Sequence, residues 1–191
     1  MRHVVQVAAF VRLVQVDGRR GDLIAERVRA IGNIPVACVI LKLKHAISAN
    51  FWMNISDERI SIPGLIEYSN LNPGKGPGEH IVYAPYYMPK THPKWQWTNQ
   101  QLIDEVISYL PMINPAFKPE WIRATHCHRY EYAQTICPPG FQGILPPMQS
   151  PLEGFFMADT AYYYPEDRSI NESIAVGQTL AQLAASATAS R

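Results

Sequence analysis

GFFMADTAYYYPEDRSINESIAVGQTLAQLAASA, residues 154–187, is the stretch that decides how this chain reads. Residues 154–158 form a short apolar run with β character. Asp159, Thr160 and three consecutive tyrosines then lead to a Pro-Glu-Asp-Arg turn. From Glu172 onward, apolar and small residues recur at helical spacing, which predicts a helix over 172–187. A buried strand, a polar turn and a helix set a helix N-terminus beside the end of the strand. Open N–H groups there, with the positive end of the helix dipole, favour an anionic or electron-rich ligand. The same unit also occurs with no ligand, so these residues alone leave both readings open.

Working outward, the rest of the chain reads as α+β. Residues 1–16 are apolar, and the pattern predicts a strand. Arg12 interrupts the run, no small-residue cleavage site follows, and the run is too short to span a bilayer. Asp22 is placed to cap a helix over 22–29. Residues 35–43 read as a strand that turns alternating at Leu41-Lys42-Leu43-Lys44. Shorter strands are expected at 51–55 and 65–68, and another at 80–87. Thr98 with Gln101 forms a capping box for a helix to Tyr109, punctuated by Pro111 and Pro115. Residues 121–132 are the longest β candidate, and the Pro/Gly-rich residues 133–150 read as loop.

Composition narrows the function classes. The 191 residues are 47% hydrophobic and 17% charged, which argues for a packed core and against a disordered tail. A net charge of +1 gives no electrostatic support for nucleic-acid binding. The odd cysteine count (Cys38, Cys127, Cys137) and the absence of a paired motif indicate reduced thiols and a cytosolic setting. His126-Cys127-His128 puts both imidazoles on one strand face and the thiol on the other. A zinc centre needs two further convergent ligands and no such motif is present, so no metal is expected. Cysteine catalysis would need a base that the sequence does not supply. Polar or amphipathic side chains that interrupt apolar β runs (Trp52, Asn54, Glu67, Asn70 and Tyr83) are candidates to face a substrate. Ordinary strand alternation is the favoured explanation for them.

The ordered blocks GFFMADT, YPEDRSIN and the later Gly177 resemble the C-terminal flavin-contacting segment of FAD-dependent amine oxidoreductases. That broad group includes monoamine oxidases, protoporphyrinogen oxidases, phytoene desaturases and UDP-galactopyranose mutases. The nearest likeness is to the bacterial protoporphyrinogen-oxidase-like branch. Upstream, IPVACVILKLKHAISANFWMNISD, LIEYSNLNP, GEHIVYAPYYMP and YAQTICPPGF resemble it in the same order, so the likeness covers roughly residues 23–185. The resemblance implies a mixed β-sheet with flanking helices over residues 1–150, of the substrate-domain type. Residues 151–191 would then be the closing strand and helix of the FAD-binding domain.

The resemblance implies FAD as cofactor, with Asp159, Thr160, Asp167, Arg168, Ser169, Asn171 and Ile174 as the residues at the flavin. Backbone N–H groups between Asp167 and Ile174 would face the pyrimidine edge of the ring. Gln134 would lie nearby, and the tyrosines at 162–164 would either shape the cavity or cover the sheet end. Two departures stand out. Thr160 occupies the place of the aspartate that contacts the ribityl chain, with Asp159 one place early, and Ser169 replaces a glycine.

The family's opening Gly-x-Gly-x-x-Gly turn is missing: neither VDGRRGD nor NPGKGPGEH has its spacing. The second stretch reads as a hairpin loop. The chain therefore resembles the C-terminal half of a larger enzyme. The expected function is an FAD-dependent oxidoreductase acting on a small-molecule substrate. The alternatives are a flavin-dependent sugar-nucleotide mutase and a non-catalytic or partner-dependent fragment. Surfaces that would face the missing half are expected to be apolar, so a homodimer or a complementary nucleotide-binding chain is the expected partner. A cytoplasmic location is expected, with peripheral membrane contact as the alternative.

Overall fold

The computed structural model describes residues 18–73 and 79–189, with side chains over 24–73 and 79–187. The expected strand at 1–16 and the core of the glycine loop at 74–78 lie outside the described residues. The chain divides into two compact units, Ile34–Ala133 and the terminal pieces Met1–Asn33 with Gln134–Arg191.

The first unit is built on a five-stranded sheet. Its strands are β1 (Asn33–Leu43), β2 (Trp52–Asn54), β3 (Gly64–Glu67), β4 (His80–Tyr87) and β5 (Ile122–Thr135), in the order β2-β3-β4-β1-β5. β2 pairs with β3, β3 with β4 and β4 with β1, all antiparallel. Lys44 N donates to Trp121 O at one end of β1, and Ile136 N to Gly32 O at the other, so β5 also runs antiparallel to β1. The sheet is thus antiparallel rather than the mixed one expected. β4 and β5 do run in the same direction, joined by a helical crossover, but β1 lies between them and no parallel pair forms.

Alternation in β1 places Ala37, Val39, Leu41 and Leu43 on one face, each 0% exposed. They pack under α3 (Asn99–Ile113), whose Leu102, Ile103, Val106, Tyr109 and Leu110 are buried at the 3.6-residue period. The capping box starts this helix as expected: Thr98 Oγ1 accepts from Gln101 N at 3.2 Å, and Thr98 N donates to Gln101 Oε1 at 2.8 Å. The helix continues past Tyr109 to Ile113, with Pro111 inside its last turn. At the other edge, Gly64 is required by space: a Cβ there would stand 2.3 Å from Met53 O.

The loop before β2 is tied at several of its backbone groups. Glu67, fully buried, accepts from Ile47 N (3.1 Å) and Ser48 N (2.9 Å). Asn70 donates to the carbonyls of Ser48 and Asn50, and Asn114 to that of Ile47. Asn70 follows β3 in a single helical turn, α2 (Tyr68–Leu71).

The second unit holds α1 (Gly18–Arg29), a helical turn α4 (Phe141–Ile144) and α5 (Ile170–Ala189). Asp22 lies inside α1, which starts four residues earlier than the expected cap. The core here is small. Ile24, Ala25 and Val28 of α1 pack on Met157 and Phe155, while Ile31, Phe141 and Ala161 form a second cluster with Leu145 and Tyr162. The expected strand at 154–158 is reduced to one bridge, Gln149 to Phe156. Only Ser150 N to Phe155 O and Met157 N to Met148 O accompany it, too few for a ladder.

Candidate functional site

The second unit carries the seven residues singled out for the flavin. Asp159 caps a 3-10 turn, Thr160–Tyr163, its carboxylate accepting from Ala161 N at 2.9 Å. Burial raises the Asp159 pKa, and the N–H of Ala161 only partly offsets this. Thr160 is exposed. The three tyrosines staple the turn that follows. Tyr162 donates to Pro146 O at 2.8 Å, Tyr163 Oη lies 2.8 Å from Ser173 Oγ, and Tyr164 sets its ring edge-on to Phe141. Burial, and next the nearby Asp159 carboxylate, push the Tyr162 phenol up to about 12.

Asp167 accepts from Arg168 N at 2.7 Å. Ser169 then starts α5: its hydroxyl accepts from Glu172 N at 3.0 Å and its carbonyl from Ser173 N and Ser173 Oγ. In the first turn, the N–H groups of Glu172 and Ser173 are therefore engaged. Those of Ile170 and Asn171 have no acceptor among the described residues. Both residues are exposed, Ile170 at 80%, as is Ile174 at 55%. Two open helical N–H groups in an exposed turn suit a hydrogen-bond acceptor. Asp159 and Thr160 are not placed at that turn by any direct bond; Tyr163 links the two stretches through Ser173.

The first unit presents a separate surface. On the sheet face away from α3, cross-strand pairing aligns Trp52, Ile66, Tyr83 and Ile40 in one row over four strands. Trp52 is 55% exposed and donates from Nε1 to Asn54 Oδ1 at 2.7 Å. Tyr68 meets Tyr83 edge-on. Trp52, Asn54 and Tyr83 thus lie on this face, whereas Glu67 and Asn70 hold the 47–50 loop. In β1 to β4 the alternation places one cation here, Lys42, and Glu79 takes it at 2.7 Å. On β5, His126 and His128 stand on the face opposite the buried Cys127, and Tyr130 and Tyr132 follow them.

On the core side lies a polar knot with no sequence signature. Lys94 Nζ donates to Glu105 Oε1 (2.6 Å) and Ser61 Oγ (2.5 Å), and sits near the rings of Tyr86 and Trp97. Tyr86 donates to Glu105 Oε2 at 2.8 Å, and Tyr109 shares a hydrogen bond with Ser61. Burial works to raise the Glu105 pKa, but hydrogen bonds from Lys94, Tyr86 and Tyr109 bring it below the ordinary value. Burial, then Glu105, push the Tyr86 phenol well above its usual range. Through Tyr86 and Glu105 the knot ties β4 to α3. No spacing rule links Ser61, Lys94 and Glu105, which is why only the structure finds them.

Cys38 is pushed up to about 11, by burial first and the Cys127 thiol second. Burial also raises Cys127, and Cys137 is exposed. Among the described residues, no group of three or more His, Cys, Asp or Glu side chains gathers as a metal centre. Among them too, no helix is long and apolar enough to cross a membrane.

No family model matches the chain, and neither does any curated protein sequence. Solved structures do share its fold. An oxidoreductase from Methanosarcina mazei is similar with a TM-score of 0.56 and 15% identity, over 81% of this chain and 36% of that one. A provisionally named protoporphyrinogen oxidase from Exiguobacterium sp. 255-15 gives 0.58 and 13%, over 83% of this chain and 35% of that one. A reduced UDP-galactopyranose mutase gives 0.48 and 12%, over 71% and 30%. At these identities the likeness to the first two is one of fold, and the chain spans about a third of the length of the structures it matches.

Proposed function

We propose that this chain is part of an FAD-dependent oxidoreductase of the amine-oxidase and protoporphyrinogen-oxidase kind. Residues 34–133 would wall the substrate, and the turn at 167–174 would meet the flavin. The observation that carries the reading is the fold shared with an oxidoreductase and a provisionally named protoporphyrinogen oxidase, over four fifths of the chain. The bound flavin would supply hydride acceptance. The chain's own residues position and exclude water. Ile170 N and Asn171 N would hold the pyrimidine edge of the bound flavin as hydrogen-bond donors, helped by the helix dipole. Asp167, Arg168 and Ser169 shape that turn. Asp159 and Thr160 are assigned to the ribityl side, and the row from Trp52 to Ile40 offers an apolar, aromatic wall to a small-molecule substrate.

The sequence supplies no glycine cradle for the pyrophosphate, so the nucleotide-binding part is assigned to a second body of protein. That body is either a further segment of the same protein or a complementary chain. Alone, these 191 residues should purify colourless, and a yellow preparation with stoichiometric FAD would overturn the division of labour. With a nucleotide-binding partner supplied, Asn171→Pro removes one donor. It should weaken flavin binding or lower its reduction potential, while Gln178→Ala on the exposed helix leaves both unchanged. An unchanged flavin in the proline variant would move the flavin away from this turn.

A further inference from the structure

β5 carries a pair of imidazoles that the flavin reading does not use. His126 and His128 flank the buried Cys127 and point to the opposite face, where both are exposed. Their rings lie 6.5 Å apart between centroids with planes only 10° from parallel. That spacing is the strand repeat itself, about 6.6 Å over two residues. Neither ring makes a hydrogen bond or ion pair among the described residues. The other described imidazoles are engaged: His45 against the Trp121 ring, His80 beside Glu67, and His92 accepting from Lys94 N. The nearest carboxylate along the strand, Glu131, falls on the opposite face by alternation and is held by Lys90 at 2.5 Å. Two imidazole rings thus stand side by side, solvated, on one face of the strand.

We propose that His126 and His128 form an open two-imidazole chelate for a divalent transition-metal ion of the copper(II) class. Metal–nitrogen bonds of about 2.0–2.1 Å require the two rings to swing toward each other, and exposure leaves both side chains free to do so. The remaining positions are completed by water. A closed cage can impose its own geometry and override intrinsic affinity. A two-donor site on one strand cannot, so selectivity follows the intrinsic order in which copper(II) exceeds nickel(II) and zinc(II). Calcium and magnesium, which ask for oxygen ligands, are excluded by the donor set. A closed structural zinc site is not formed, because no third or fourth ligand converges among the described residues.

The test is a titration with copper(II) chloride, followed by calorimetry and by frozen-solution electron paramagnetic resonance. It is run on a chain carrying His3→Ala and Cys137→Ser, which removes the Met1-Arg2-His3 segment as a competing chelator and the exposed thiol as a reductant. One equivalent should bind with a signal split by two imidazole nitrogens. His126→Ala and His128→Ala should each weaken binding by about ten-fold or more and leave a single coupled nitrogen. His45→Ala and His92→Ala should change neither. Zinc(II) should bind the same pair more weakly than copper(II). All four positions tolerate the change on packing grounds, and unaltered melting curves would verify it. Two-nitrogen coupling that survives in either His126→Ala or His128→Ala overturns the proposal, as does loss of binding in His45→Ala or His92→Ala.

Discussion

The two units of this chain spend the same kinds of residue differently. In Ile34–Ala133, every second residue of β1 from Ala37 to Leu43 is fully buried, and α3 covers them with five buried side chains. In the terminal unit, α5 is longer than α3 and rich in alanine, leucine and isoleucine, yet none of its described side chains is buried. Val176, Leu180 and Leu183 form a half-buried stripe, while Ile170, Ile174 and Gly177 are exposed. One unit is a closed core. The other keeps a helix whose apolar surface is unspent, the pattern expected of an element meant to be covered by other protein.

The largest effect should separate the units directly. Leu102→Ala, at a fully buried site, should cost about 3 kcal/mol or more in urea unfolding, whereas Leu180→Ala should cost about 1 kcal/mol or less. Equal costs would mean that α5 is packed as tightly as α3 and would erase the contrast. Next, Lys94→Met leaves the Glu105 carboxylate without its cation at a site where both side chains are 17% exposed, and should cost about 2–3 kcal/mol at neutral pH. Because the Glu105 pKa is depressed in the fold, that contribution is present above its ordinary 4.5 and is lost as pH falls through the lower folded value. The gap between wild type and variant should therefore close in acid.

Asp159 should behave in the opposite sense. Its folded pKa is raised by burial, so its contribution is fully present below the ordinary 3.8 and lost as pH rises through the folded value. Asp159→Asn keeps the acceptor for Ala161 N and should stabilise at neutral pH by up to about 1 kcal/mol, with no gain in acid. A loss at neutral pH would show that the ionised form is held by contacts beyond Ala161. The smallest difference is kinetic. With iodoacetamide near pH 8, exposed Cys137 should label first. Cys38, raised to about 11, and buried Cys127 should lag until the sheet unit unfolds. Simultaneous labelling of all three thiols would mean that the sheet opens as readily as the terminal unit.

Much of the sheet unit was legible because its signals are local. The strand at 80–87 has the expected bounds, β1 was misplaced by two residues at its start, and the Thr98–Gln101 capping box fixed the start of α3. The terminal unit was harder. GFFMA has strand composition, but its backbone partners, residues 148–150, lie between Pro147 and Pro151 and support a single bridge instead of a ladder. Asp22 looked like a cap and proved to be inside a helix, because two glycines and two arginines before it fold into the first turn. Within the candidate site, the polar turn and helix at 170–189 were readable from spacing. The engagement of Glu172 N by the Ser169 side chain was not, since it depends on which way one hydroxyl points. Glu67 and Asn70 looked like interruptions of a strand that could meet a ligand. Their true partners are backbone groups some twenty residues earlier, a separation no periodicity reveals.

Gly64 shows what such a sheet demands of mutation. Most glycines are kept for the backbone angles they permit, but this one is kept for emptiness, with the Met53 carbonyl occupying the place of a side chain. In a saturation library across β2 and β3, position 64 would therefore discriminate by volume and ignore chemistry. Alanine, serine and valine would all be lost together, while two positions away Ile66 would sort the same substitutions by polarity.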